Sequence, residues 1–142
     1  MHGDRNGERS RGQGRRRTSL TYDGEFDVVT AVMALHFLHG PDRLTALRKC
    51  HDALKPGGVM IAFDNFAPFT ETGKTVCLEM WGRYQIKQGK SPEESRAHID
   101  RYGKAYVPLD PFAEIALLKE SGFSTAEILW LSNMQIGVWG MK

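Results

Sequence analysis

The stretch Leu54-Lys55-Pro56-Gly57-Gly58 constrains this chain more than any other. Upstream of it, Leu44, Leu47, His51 and Leu54 recur at helical spacing, with Arg43, Arg48, Lys49 and Asp52 on the other faces. This pattern predicts a helix opened by Gly40-Pro41-Asp42, with one side for packing against a sheet. Lys55 is expected in its last turn, where a cation suits the carbonyl end of the helix dipole, and Pro56-Gly57-Gly58 cannot continue the helix. Downstream, GVMIAFDNF reads as a strand at once. Before the helix, the run from Phe26 to Leu38 is apolar on consecutive positions, with Val28, Val29, Thr30 and Val32 in its first half, as in a strand buried on both faces. Strand, helix and strand joined by short connections imply a right-handed crossover between parallel strands, hence an α/β fold.

The rhythm breaks at about residues 73–106, which read as a helical insertion. One helix runs through Val76, Leu78, Met80, Trp81 and Tyr84, and Ser91-Pro92-Glu93-Glu94 starts a shorter one with a capping box. Alternation then resumes, with Asp110 as N-cap, Pro111 at N1, Ile115, Leu117 and Leu118 as apolar positions, and Gly122 as the stop. Two closing strands, AEILWLS and IGVWGMK, are separated only by Asn133, Met134 and Gln135, a connection short enough for an antiparallel hairpin.

With 142 residues and 41% apolar side chains the chain has material for one core. The first 18 residues stand apart as a disordered basic leader. Residues 1–17 hold six arginines against Asp4 and Glu8 and contain no Leu, Ile, Val or Phe, too little to offset the entropy of ordering them. The domain is expected over residues 19–142 and is slightly acidic, with 13 Lys or Arg against 15 Asp or Glu after residue 17. No apolar run suggests a membrane span or a secretory signal, so the cytoplasm is the default compartment. Cys50 and Cys77 form no metal or redox pattern and read as two buried thiols. His2, His39 and His98 have no metal-ligand spacing, and no metal site is assigned.

Taken in order, FDVVTAVMALHFL, LKPGGVMIAF, LLKESGF and the closing hairpin resemble the second half of a class I S-adenosylmethionine-dependent methyltransferase. Phe26-Asp27 matches the start of that family's fourth strand, Leu54 through Gly58 the turn after the following helix, and Gly122-Phe123 the approach to its sixth strand. The resemblance implies a Rossmann-like sheet, S-adenosylmethionine as cofactor, and a small molecule or nucleoside as methyl acceptor. It also implies that Val32, Met33 and Ala34, where the first strand here ends, lie beside the cofactor. A weaker similarity to the group that modifies wobble uridines meets a departure at Val32, where that group has Asn.

The family's glycine-rich fingerprint and the acidic residue ending its second strand have no counterpart. Gly12-Gln13-Gly14 lacks the preceding strand and following helix that give such glycines meaning. The expectation is therefore a half-domain holding one wall of the ligand crevice, from a truncated gene or gene model, and inactive alone. Methyl transfer from a sulfonium needs mostly alignment. The candidate catalytic residues are His36, of a type able to accept a proton near neutral pH, and Asp64; Asn65 and Tyr84 are candidates for holding the acceptor. His36 also reads as a residue packed over the helix start, Asp64 and Asn65 as loop caps, Trp81 as core and His51 as packed on the apolar stripe. A second reading is a non-catalytic module that forms a homodimer or completes a partner through its open sheet edge. RNA binding by the arginine leader is a third, with no interleaved aromatic residues to support it.

Overall fold

The computed structural model describes residues 22–142. The basic leader, residues 1–18, lies outside these. The described chain folds as β1 (Phe26–Val32), a single 3-10 turn (Leu35–Phe37), α1 (Gly40–Ala53), β2 (Leu54–Asn65), α2 (Glu71–Lys87), α3 (Pro92–Ile99), α4 (Pro111–Glu120), β3 (Thr125–Ser132) and β4 (Gln135–Met141). The four strands form one sheet in the order β1-β2-β4-β3. β1 runs parallel to β2, and β4 runs antiparallel to both β2 and β3. The α/β class, the parallel crossover and the closing hairpin are as the sequence implies.

The start and stop signals act where they are written. Asp110 caps α4 by accepting from the Phe112 and Ala113 amides, and the capping box of α3 closes through Ser91 and Glu94. Gly122, at φ 108°, ends α4 in a conformation that a side chain disfavours. α2 and α3 approach each other at Gly82, whose carbonyl accepts from Ser95 Oγ at 3.1 Å; a Cβ there would sit 2.8 Å from Ile99 Cδ1.

One expectation is sharpened and another corrected. The apolar run that begins at Phe26 leaves the sheet after Val32, in line with a strand end at Val32 to Ala34; Met33 takes φ 49°, and Leu35–Phe37 turn instead of extending. The Pro-Gly-Gly segment is not a turn between elements, because α1 ends at Ala53 and Leu54 already pairs with Phe26. The next pair is Val28 with Val59, so Lys55 to Gly58 bulge out of the ladder, with Gly57 at φ 77°. Lys55 consequently leaves the helix end and binds both carboxylate oxygens of Asp27 at 3.0 and 2.9 Å.

Burial alternates along β2. Met60, Ala62 and Asp64 are buried against the α1 and α4 side with Leu47, Leu118, Phe123, Ile136 and Val138, while Val59, Ile61 and Phe63 on the opposite face are only half-buried. On that second face Val32 pairs with Phe63, and Phe63 stacks on Trp130 at a centroid distance of 6.0 Å across Gly137. Among the described residues no strand pairs with the outer edge of β1, where Val28 and Val32 are 54% and 59% exposed.

Candidate functional site

Parallel α/β sheets present ligand sites at the carboxyl ends of their strands. Here that end is built from the exit of β1, the end of β2 and the hairpin turn between β3 and β4. Met33, just past β1, keeps one more bond to the sheet, its amide donating to Phe63 O at 2.6 Å. Its positive φ is strained for a non-glycine residue and reverses the chain direction.

What holds this reversal is Asp64. Its carboxylate accepts from three successive amides, Ala34 at 3.0 Å, Leu35 at 3.3 Å and His36 at 3.5 Å, and also pairs with His36 Nδ1. Three amides converging on one carboxylate make a small anion cradle, here filled by the protein's own side chain. Arg43, buried in the first turn of α1, braces the same loop from below. It donates to Leu35 O at 3.1 Å, to Val107 O at 2.7 Å and to Glu114 at 3.0 Å. Burial pushes the Glu114 carboxyl up to about 7, against the opposing pull of Arg43, and the nearby Asp64 and Asp110 charges push the same way as burial. The backbone closes the structure, since Val107 N donates to His36 O at 2.8 Å and Ala67 N to Leu109 O at 2.8 Å.

The residues singled out in the sequence thus fall into two groups. Val32, Met33 and Ala34 come together at the exposed exit of β1. His36 and Asp64 come together beneath it and are 1% and 5% exposed. His36 packs against Phe37 and Tyr106, at ring distances of 4.3 and 5.4 Å. In this arrangement both are engaged with the loop itself rather than directed into an open crevice, because the three amides and the imidazole surround the carboxylate. Asn65 is also buried, and its Oδ1 finds no donor among the described residues. Tyr84 stands apart on α2 and is 58% exposed. His51 packs on Phe123. Cys50 is a core thiol that burial pushes up to about 11, whereas Cys77 is only half-buried.

Arg43 and Glu114 were not anticipated as site residues. Arg43, expected on a face of α1 turned away from the sheet, is instead buried four residues before Leu47 on the packed stripe, an i, i+4 spacing that was readable in the sequence and an unusual place for a cation. A further group was missed. Met80, Trp81 and Tyr84 of α2 face Ser132, Asn133, Met134 and Gln135 of the hairpin turn across a cleft of about 410 Å³. Trp81, expected in the core, is half-buried on its wall, its ring edge held by His98 at 4.9 Å. Gln135 Nε2 lies 4.0 Å from Met33 Sδ, so the cleft adjoins the β1 exit.

Of the residues that could hold an S-adenosylmethionine molecule, Val32 and Met33 offer an exposed apolar surface at the strand end. This fits one side of the cofactor's flat, partly apolar body. The three residues Val32, Met33 and Ala34 supply neither a carboxylate for a ribose nor a cation for a carboxylate.

Comparison with known proteins agrees with this geometry. A family model described as a methyltransferase domain matches residues 13–62. The carboxy-S-adenosyl-L-methionine synthase of Helicobacter hepaticus is 29% identical over 104 residues, which cover 73% of this chain and 44% of that protein. The chain therefore spans less than half the length of this curated relative. Among solved structures, an S-adenosylmethionine-dependent methyltransferase from Thermotoga maritima superposes with a TM-score of 0.55 at 17% identity, over 89% of this chain and 61% of that one. Human N-acetylserotonin methyltransferase, solved in complex with S-adenosylmethionine, gives 0.53 at 13% identity, over 82% and 29%. Given the strand order, the hairpin that closes the sheet and the matched domain model, the chain has the fold of the class I S-adenosylmethionine-dependent methyltransferases and is similar to them in sequence over residues 13–62.

Proposed function

We propose that this chain serves methyl transfer from S-adenosylmethionine to a small-molecule or nucleoside acceptor, and that it supplies one wall of the reaction cleft. The observation that carries this reading is the loop pinned by Asp64, which holds Val32, Met33 and Ala34 rigidly at the carboxyl edge of the sheet. A sulfonium brings its own leaving group, so a preorganised wall is the main contribution asked of the protein. Asp64 and His36 act in this reading as positioning residues, while Asn65 and Tyr84 stand on the acceptor side. Because the described residues present a bare β1 edge, binding the cofactor calls for a second wall. Calorimetry tests this. The chain alone should give no heat with S-adenosylmethionine, and adding the amino-terminal portion of the Helicobacter hepaticus relative should restore binding that Val32→Asp abolishes. Tight binding by the chain alone would overturn the one-wall reading, and a mixed complex that fails to bind would overturn the methyltransferase reading.

The exposed valines favour a second reading, a module that pairs through β1 with another copy or a partner. An open strand edge flanked by apolar side chains is a template for such pairing. Beside the edge, Val29, Ala31, Leu38, Ala46, Cys50 and Ala53 line an open apolar hollow of about 530 Å³. Sedimentation of wild type and Val28→Lys/Val32→Lys distinguishes the cases: a dimer lost in the variant supports pairing, and a monomeric wild type removes it.

A further inference from the structure

The cleft between α2 and the β3–β4 turn has a lining from which a ligand class can be read. Trp81 and Tyr84 occupy positions three apart on α2, with Met80 beside Trp81, so two rings and a thioether share one side of the helix. The opposite wall is the turn residue Asn133, at φ 29°, flanked by Ser132, Met134 and Gln135. The polar groups on this wall are amides and a hydroxyl, which hydrogen-bond without carrying charge. Among the described residues, no Lys, Arg, Asp, Glu or His lines the cleft. Behind Trp81 lies His98, whose pKa is lowered first by burial and then by Lys90 and Arg101, which favours its neutral form.

A charged ligand placed here would lose hydration with no counter-charge to receive it. A flat neutral ring would stack on Trp81 and Tyr84 and exchange hydrogen bonds with Ser132 and Gln135. The cleft volume of about 410 Å³ is sufficient for one such ring system. We propose that this cleft binds a neutral aromatic ligand bearing hydroxyl or amino groups, and that it selects against carboxylate-, phosphate- and ammonium-bearing rings. Because Gln135 bridges toward Met33, a ligand here lies next to the β1 exit. The identification of that ligand as the methyl acceptor rests on the function proposed above; its binding does not.

The test uses the chain without cofactor, so its outcome is independent of S-adenosylmethionine binding. Saturation-transfer NMR with catechol, benzoate and benzylamine should show binding of catechol alone. Tyr84→Ala, an exposed change that leaves the fold intact, should weaken catechol by about tenfold, as expected for loss of a stacking ring. Trp81→Leu should weaken it at least as much, with circular dichroism confirming the fold. Equal binding of benzoate or benzylamine, or catechol binding untouched by Tyr84→Ala, overturns the proposal, as does absence of catechol binding to the folded wild type.

Discussion

The two faces of the sheet are written in similar residues and live in different surroundings. On one, Met60, Ala62, Ile136 and Val138 are sealed under α1 and α4. On the other, Val59, Ile61 and Phe63 are only half-buried, Val32 stands largely open, and Trp130 leaves about a third of its surface to solvent. A half-solvated antiparallel sheet normally alternates apolar with polar residues, while a parallel strand covered on both sides is apolar throughout. β1 and β2 follow the second rule. Their composition calls for two covered faces, and the described residues cover one.

Removing Asp64 should be the most damaging change on the sealed side. Asp64→Ala strips a buried acceptor from three amides and the His36 ring, and a loss of about 4 kcal/mol in urea unfolding is expected. A loss below about 1 kcal/mol would mean that the loop is held by something else.

The acid response of the same side comes next. Glu114 holds its proton more firmly in the folded chain, where its pKa is about 7, than when unfolded near 4.5. Through this group the folded state binds more protons than the unfolded one between those values, so the contribution of Glu114 to stability is greatest below pH 4.5 and is lost as the pH rises to 7. The fall is about 3 kcal/mol, flat above that range. Glu114→Gln should remove this slope from a pH series of unfolding midpoints.

Two glycines of β4 then compare the faces directly. A Cβ on Gly140 would meet the Phe123 ring at 2.9 Å inside the sealed core, while one on Gly137 would meet Trp130 at 2.5 Å on the open face. Phe123 is buried and has nowhere to move, whereas Trp130 can swing toward solvent. Gly140→Ala should cost about 2 kcal/mol and Gly137→Ala under about 1 kcal/mol, despite the shorter contact. Equal costs would show that the open face is covered in solution.

Smallest of all, Val28→Thr should change stability by less than about 0.5 kcal/mol, as for an exposed position. A larger effect that grows with protein concentration would point to a partner on β1.

Much of the fold was legible because local signals stated it. Asp110, Ser91 and Gly122 mark helix ends by chemistry that acts over three or four residues, and the hairpin is fixed by a short connection. Pro56-Gly57-Gly58 was legible only as an interruption. Whether such a segment turns between elements or bulges within a strand depends on pairing with Phe26 and Val28, more than two dozen residues earlier. The site divides in the same way. Val32 to Ala34 follow from where a strand ends, but the burial of His36 and Asp64 depends on three amides, Tyr106 and the arginine of α1 meeting around them. The cleft at Trp81 joins α2 to a turn about fifty residues later, and no pattern within either segment announces it.

Met33 carries a consequence for anyone redesigning this wall. At φ 49° a β-branched side chain would clash with its own backbone, so Val, Ile and Thr are disfavoured there while glycine or asparagine would sit at ease. A mutational library aimed at altering ligand preference should accordingly diversify positions 32 and 34 and leave the intervening position nearly constant, since most of its variants would be discarded by backbone geometry before any ligand was met.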